Sequence, residues 1–189
     1  NIAKHIHLPA QSGSTRILEK MNRTYTREWY EERINRIKEL MPDCSISSDI
    51  ITGFCTETEE DHQDTLSLMK WAEYEFSYMY FYSERPGTLA ARKYEDDIPE
   101  EIKRRRLTEV IEIQHEVAKR KNKAQEGKVQ RVLVESQSKK NPDEWMGRNE
   151  QNIKCIFPKE HYQKGDYVDV LIERSTITSL IGKAVGSSL

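Results

Sequence analysis

A parallel α/β sheet covered by helices, followed by a small all-β barrel, is the architecture the sequence predicts. Three observations lead there. Short apolar runs alternate with helical patterns through about residue 125, an aromatic run of period two lies within that part, and only closely spaced β-type segments follow Gly127. The predicted domains are therefore residues 1–125 and 126–189.

The first strand holds Ile6 and Leu8 and ends at Pro9. A helix carrying Ile17, Leu18 and Met21 follows from a serine or threonine cap. A second begins at Thr26, places Tyr30, Ile34, Ile37 and Met41 at helical spacing, and stops at Pro42. Ile46 to Ile51 reads as a strand running into Gly53. Thr58-Glu59-Glu60-Asp61 then marks a capped start, with acids on the positive end of the helix dipole, for a helix carrying Leu66, Met69 and Ala72. Phe76 to Tyr82 alternates as a strand, and Arg85-Pro86-Gly87-Thr88 is its loop. A long helix runs from about Pro99 to Gln125, and its Lys103-Arg104-Arg105-Arg106 run reads as a solvated face. Strands at Val129–Glu135, Ile153–Phe157, Tyr167–Ile172 and Ile177–Val185 complete the tail, with turns at Asn141-Pro142-Asp143 and Lys164-Gly165-Asp166. Three parallel strands are too few for an eight-stranded barrel, and the chain opens with Asn1 directly into a strand; both suggest a piece of a longer protein.

With 33% charged and 36% apolar residues, the chain is expected to fold with a wet surface, and its apolar runs are too short for a membrane helix. The acidic excess lies in residues 1–122, and residues 123–189 are slightly basic, which hints at a polyanion facing the tail. Cys44, Cys55 and Cys155 are too widely spaced for a disulfide framework, a zinc site or a cluster motif, so isolated cytosolic thiols and no metal are expected.

Each strand of the first domain ends in small or polar residues: Gln11-Ser12-Gly13-Ser14, then Asp49 through Glu57, then Ser83 through Thr88. In a parallel barrel these ends converge on one mouth. Glycines there would let a ligand approach the backbone, and Gln, Ser and Asp would supply directed hydrogen bonds.

His7-Leu8-Pro9-Ala10-Gln11-Ser12-Gly13-Ser14 with Met21-Asn22-Arg23, then Asp49-Ile50-Ile51-Thr52-Gly53-Phe54, Glu57-Thr58-Glu59-Glu60 and Tyr82-Ser83-Glu84-Arg85-Pro86-Gly87-Thr88, resemble in order the signatures of the radical S-adenosylmethionine methylthiotransferases. Val132-Leu133-Val134-Glu135, Ser138-Lys139-Lys140 and Gly147-Arg148 resemble the TRAM domain of the same family. The resemblance implies the C-terminal part of a radical-SAM, TIM-like barrel followed by an OB-like TRAM barrel. It further implies a methylthio group added at C2 of N6-dimethylallyladenosine at position 37, beside the tRNA anticodon, in the cytoplasm. Implied cofactors are S-adenosylmethionine and two [4Fe–4S] clusters. No Cys-x3-Cys-x2-Cys occurs in this sequence, so the chain alone is expected to be inactive and no catalytic residue is named. Cys55-Thr56 stands where the family usually has Pro-Gly.

By the same resemblance Asp49, Ile51, Gly53 and Glu57 lie along the adenosyl part of S-adenosylmethionine, Gln11 and Ser12 line the cavity, and Arg85 and Thr88 close its rim. Lys139, Lys140, Trp145 and Arg148 form a basic and aromatic edge for the anticodon stem-loop. Trp29 and Trp71 are expected in helix packing. A sister enzyme acting on threonylcarbamoyl-adenosine and a non-catalytic RNA-binding domain are the alternatives. An isolated piece with an open sheet edge is expected to self-associate.

Overall fold

The computed structural model describes residues 3–187; the reading placed on Asn1 falls outside them. The chain divides into two compact units, one of residues 6–42 and 46–117, the other of residues 118–189 with 1–5 and 43–45. The second unit starts earlier than the sequence break at Gly127. The end of the long helix belongs to it, because Asn122 Nδ2 donates to the carbonyls of Thr176 at 2.9 Å and Ile177 at 3.0 Å.

The α/β part runs β1 (His5–His7), α1 (Thr15–Lys20), α2 (Arg27–Leu40), β2 (Ser45–Thr52), α3 (Glu59–Ala72), β3 (Phe76–Phe81), α4 (Leu89–Lys93) and α5 (Glu100–Lys123). The sheet order is β1-β2-β3, and β2 and β3 are parallel from Ser47 opposite Phe76 to Thr52 opposite Phe81. The helix starts follow from side-chain caps. Ser14 accepts from the Ile17 amide, Thr26 from that of Trp29, and Thr58 and Asp61 form a reciprocal capping box. Alternation along β2 turns Ile46, Ser48, Ile50 and Thr52 inward, where Ile46 and Ile50 pack with Tyr30 and Ile34 of α2, Leu66 and Met69 of α3 and Val110 of α5. α4 was not expected; it is a single short turn begun by Thr88, whose hydroxyl accepts from the Ala91 amide.

The hydroxyls around Tyr30 are matched. The Tyr30 hydroxyl donates to the Leu8 carbonyl at 2.6 Å and accepts from the Tyr74 hydroxyl at 3.0 Å, while Ser48 Oγ accepts from the Ala10 amide at 2.9 Å. Tyr30→Phe leaves the Leu8 carbonyl with Ser48 Oγ alone, at 3.0 Å, and takes the acceptor from the Tyr74 hydroxyl. A loss of about 1–3 kcal/mol is expected, read as a lower urea midpoint at unchanged slope.

The second unit contains β4 (Val129–Gln137), β5 (Glu144–Asn149), β6 (Lys154–Pro158), β7 (Tyr167–Ser175) and β8 (Leu180–Ser187), closed in the order β4-β5-β6-β8-β7. All neighbours are antiparallel except β6 and β8. Val132, Val134, Cys155, Phe157, Val168, Val170, Ile172 and Leu180 fill it. Strand β5 escapes the sequence reading because its residues are poor β formers, yet Gly147 has to lie there: a Cβ would fall 2.2 Å from the Leu133 carbonyl oxygen. β8 starts at Leu180 rather than Ile177, since the Thr176 amide turns back onto the Ser179 carbonyl at 2.8 Å.

Candidate functional site

The face of β1–β3 opposite the helix-covered core carries His7, Ser47, Asp49, Ile51, Phe76, Tyr78 and Tyr80, placed there by the period of two. Phe76, Tyr78 and Tyr80 are 50%, 50% and 57% exposed, an uncommon amount for three aromatics in one strand. His7 Nδ1 lies 2.9 Å from Ser47 Oγ, and its Nε2 lies 3.5 Å from Asp49 Oδ1. The Tyr78 ring stands edge-on to the imidazole, with centroids 6.1 Å apart. Aromatic faces beside a carboxylate and an imidazole suit a heterocycle that stacks and donates hydrogen bonds. Among these, only Asp49 and Ile51 were singled out from sequence. His7, Ser47, Tyr78 and Tyr80 were missed; alternation around Asp49 points to Ser47, but His7, Tyr78 and Tyr80 need the strand register.

Gln11 has a positive φ of 68° and runs beside β2: its amide donates to the Asp49 carbonyl and its carbonyl accepts from the Ile51 amide, both at 2.8 Å. Its side chain is buried. Ser12 turns toward α3, where its hydroxyl lies 3.3 Å from Thr65 Oγ1 and accepts from the Ser14 amide at 3.2 Å. Glu57 is likewise fully buried. Its Oε2 accepts from the Gly53 amide at 2.6 Å and from Arg106 at 2.9 Å. Burial pushes the Glu57 carboxyl up to about 7, against the lowering effect of the Gly53 amide and Arg106. Ser12 and Glu57 thus hold the loops and do not face the open side.

Packing alone already requires glycine at two of these positions. A Cβ on Gly13 would meet the Asp64 carbonyl oxygen at 2.4 Å, and one on Gly53 (φ 66°) would meet Lys103 Cγ at 2.4 Å. The close neighbours on the Cβ side are α3 and α5. Only half of the basic run, Arg104 and Arg105, is a solvated face. Lys103 and Arg106 are buried, Lys103 Nζ reaches Asp96 Oδ2 at 2.6 Å, Arg105 pairs with Glu59 and Glu109, and Arg104 pairs with Glu100. Arg85 is exposed in the loop after β3. Thr88 caps α4 and donates to the Arg85 carbonyl at 2.9 Å. Trp29 and Trp71 are part-exposed on their helices, Trp29 under the Arg33 guanidinium and Trp71 of α3 under the Lys38 ammonium of α2.

In the barrel, Lys139 and Lys140 are exposed in the β4–β5 turn. Trp145 and Arg148 lie three apart on β5 and so face opposite sides. Trp145 packs against the barrel core with the Lys159 ammonium 4.9 Å from its ring, whereas Arg148 points outward, 3.4 Å from Glu135 and 3.0 Å from the Asn152 carbonyl. The exposed aromatic of this unit is Tyr167. It is stacked by Arg131 at 4.7 Å and, like Arg148, is paired with Leu133 in the ladder. The strict inward alternation of Val168, Val170 and Ile172 was the signal that Tyr167 faces out.

Donor chemistry limits what these residues hold. Among the described residues no three His, Cys, Asp or Glu side chains are grouped to bind a metal ion, and Cys55 and Cys155 are buried apart in separate cores. They do not fit an iron–sulfur cluster. The open face with Asp49, Ile51, His7 and Tyr78 does fit a nucleoside. No helix among the described residues is long and apolar enough to cross a membrane.

Residues 1–69 match the Radical SAM superfamily and residues 123–185 match the TRAM domain, and this pairing defines the class of the chain. The fold agrees: coproporphyrinogen III oxidase (HemN) from Escherichia coli, a radical SAM enzyme, superposes with a TM-score of 0.52 over 89% of this chain and 41% of its own, at 15% identity. More specifically, nearly the whole chain is similar to proteins of one name, and the chain joins a radical SAM segment to a TRAM domain. A tRNA-2-methylthio-N(6)-dimethylallyladenosine synthase of Amoebophilus asiaticus is 58% identical over 97% of this chain, and one of Christiangramia forsetii is 55% identical over 100%. One from Bacteroides fragilis is 49% identical over 99%. The chain spans only 38% to 41% of the length of these relatives.

Proposed function

We propose that this chain is the C-terminal portion of a cytoplasmic tRNA methylthiotransferase that adds a methylthio group at C2 of N6-dimethylallyladenosine at position 37, beside the anticodon. The observation that carries the reading is identity of 55% to 58% along essentially the whole chain to synthases of that name. S-adenosylmethionine and two [4Fe–4S] clusters supply the radical and sulfur chemistry when bound, and the cluster ligands belong to parts of the enzyme other than this chain. Asp49, Ile51, Gln11 and the Gly53 loop form the adenosyl side of the site. His7 and Tyr78 offer a polar and an aromatic contact on the same open face. Arg85 and Thr88 stand at its rim.

In the second unit, Lys139, Lys140 and Arg148 neutralise anticodon stem-loop phosphates, and Tyr167 with Arg131 offers a stacking surface. Replacing Lys139 and Lys140 together by Ala should weaken stem-loop binding. It should also flatten the log-affinity against log-salt slope by about 1–2 units without moving the thermal midpoint. An unchanged slope would remove both lysines from the interface.

The reading is tested on the full-length enzyme, reconstituted anaerobically and given S-adenosylmethionine, reductant and tRNA bearing dimethylallyladenosine. A methylthio mass gain on that nucleoside is expected after digestion. Gain on threonylcarbamoyl-adenosine alone moves the protein to the sister branch, and gain on neither leaves an RNA-binding domain. The isolated chain should be inactive, and β1 and β3, the edges of its sheet, should make it self-associate; a monomer by light scattering at high concentration would refute that.

A further inference from the structure

We propose that Arg106 and Lys103 of α5, acting with Glu57, are positioning residues that set the path of the Gly53–Glu57 loop and through it the affinity for S-adenosylmethionine. The inference rests on the assignment of the Asp49–Glu57 stretch to the adenosyl group made above. Nothing in the matched family segments covers α5 up to Asn122: they span residues 1–69 and 123–185.

The loop is gripped at both ends by side chains one helical turn apart. At its start, Gly53 (φ 66°) lies against the stem of Lys103, whose Cγ occupies the place of a Cβ, and the Lys103 ammonium is anchored on Asp96 and on the Tyr82 carbonyl at 3.4 Å. At its end, Arg106 donates to the Glu57 carboxylate at 2.9 Å and to the Glu57 carbonyl at 3.0 Å. The same carboxylate oxygen accepts from the Gly53 amide, and the Glu57 amide donates to the Phe54 carbonyl at 2.9 Å, so the loop is tied across its own neck.

As a stabilising device this arrangement is poor. The Glu57 and Arg106 side chains are 0% and 5% exposed, and Glu57 Oε1 and Arg106 Nε are buried without partners. A buried ion pair with unmatched atoms is often no better for stability than apolar residues of the same volume. What it supplies is a fixed geometry: Nη1 of the planar guanidinium holds the Glu57 carboxylate and carbonyl while Nη2 reaches Glu59 at 3.4 Å, which leaves the loop one path. A local rule broken at the end of a site-bearing strand is where function is expected.

The test uses the full-length reconstituted enzyme, with radiolabelled S-adenosylmethionine in equilibrium dialysis, amide hydrogen exchange of peptides across residues 49–60, and thermal midpoints. Arg106→Met should weaken S-adenosylmethionine binding at least tenfold and speed exchange across Gly53–Glu57, with stem-loop RNA affinity unchanged. Arg106→Lys keeps the charge but gives up the second guanidinium nitrogen and the planar fork. It should fall between the two, and it carries the test if Arg106→Met fails to fold. Asp49→Ala reports on the underlying assignment. If Asp49→Ala weakens binding and folded Arg106 variants bind as wild type, the positioning role is overturned and the assignment stands. If neither changes binding, the assignment itself fails.

Discussion

Alanine at Gly182 is expected to open the five-stranded barrel. Gly182 lies on β8 opposite Ile172, next to an irregularity in the β7–β8 ladder. An added Cβ would sit 2.0 Å from the Leu171 carbonyl oxygen, 2.8 Å from its carbon and 3.0 Å from Ile172 Cα. All three atoms are backbone, so no rotamer change relieves the clash; the strands have to separate. Overpacking a core with a flexible neighbour costs about 1–3 kcal/mol. Here the loss should reach or exceed the top of that range, a large share of the about 5–15 kcal/mol that holds a domain together. Gly186→Ala is the control on the same strand, since nothing lies within 4 Å of its Cβ. Urea unfolding of the barrel, followed by Trp145 fluorescence, should separate the two variants clearly. Equal midpoints would mean that β8 has another register available.

This constraint was hidden in the sequence, and the reason is general to what the reading found and missed. Elements defined by local chemistry were legible: the Thr58–Asp61 capping box, the stop at Pro42 and the alternation of β7 depend on residues within a few positions of one another. Features defined by a partner far along the chain were not. Gly13 and Gly53 read as openings for a ligand, and their close packing against α3 and α5 went unseen. Lys103 and Arg106 read as surface, because Asp96 and Glu57, which neutralise them, announce no pairing in sequence. Strand β5 was lost since Gly147 and Asn149 lower β propensity at positions that tertiary packing requires. The candidate site was half legible for the same reason. Motif order named β2 and its loop, but the aromatic wall of β3 emerges only when register sets Tyr78 opposite Asp49.

Asp61 and Glu57 should give the protein two opposite pH dependences of stability. Asp61 ties the start of α3 to the cap of α1: it accepts from Ser14 Oγ at 2.6 Å, from the Thr58 amide at 2.8 Å and from Thr58 Oγ1 at 2.9 Å, and it pairs with Arg16. Burial alone would raise its pKa. The hydrogen bonds from Arg16, Ser14 and Thr58 outweigh burial and hold the carboxyl well below the usual carboxylate range. A folded pKa below the unfolded 3.8 contributes stability that is present above that value and is lost as pH falls through the folded one. Glu57 has the other sign. With its folded pKa near 7 against 4.5 unfolded, it keeps a proton that the unfolded chain has already released, so stability declines as pH rises across that window. Asp61→Ala strands the Thr58 amide and the Ser14 hydroxyl together. Because Arg16 is 43% exposed and partly screened, the loss should be about 3 kcal/mol, the lower end of the cost of breaking a buried pair. In thermal midpoints measured from pH 3 to 8, Asp61→Asn should reduce the acid-side decline, to which Glu59 and Glu109 also contribute, and Glu57→Gln should flatten the decline between about pH 5 and 7. If Glu57→Gln instead leaves that slope untouched, the Glu57 carboxylate is ionised throughout, and Arg106 rather than burial decides its charge.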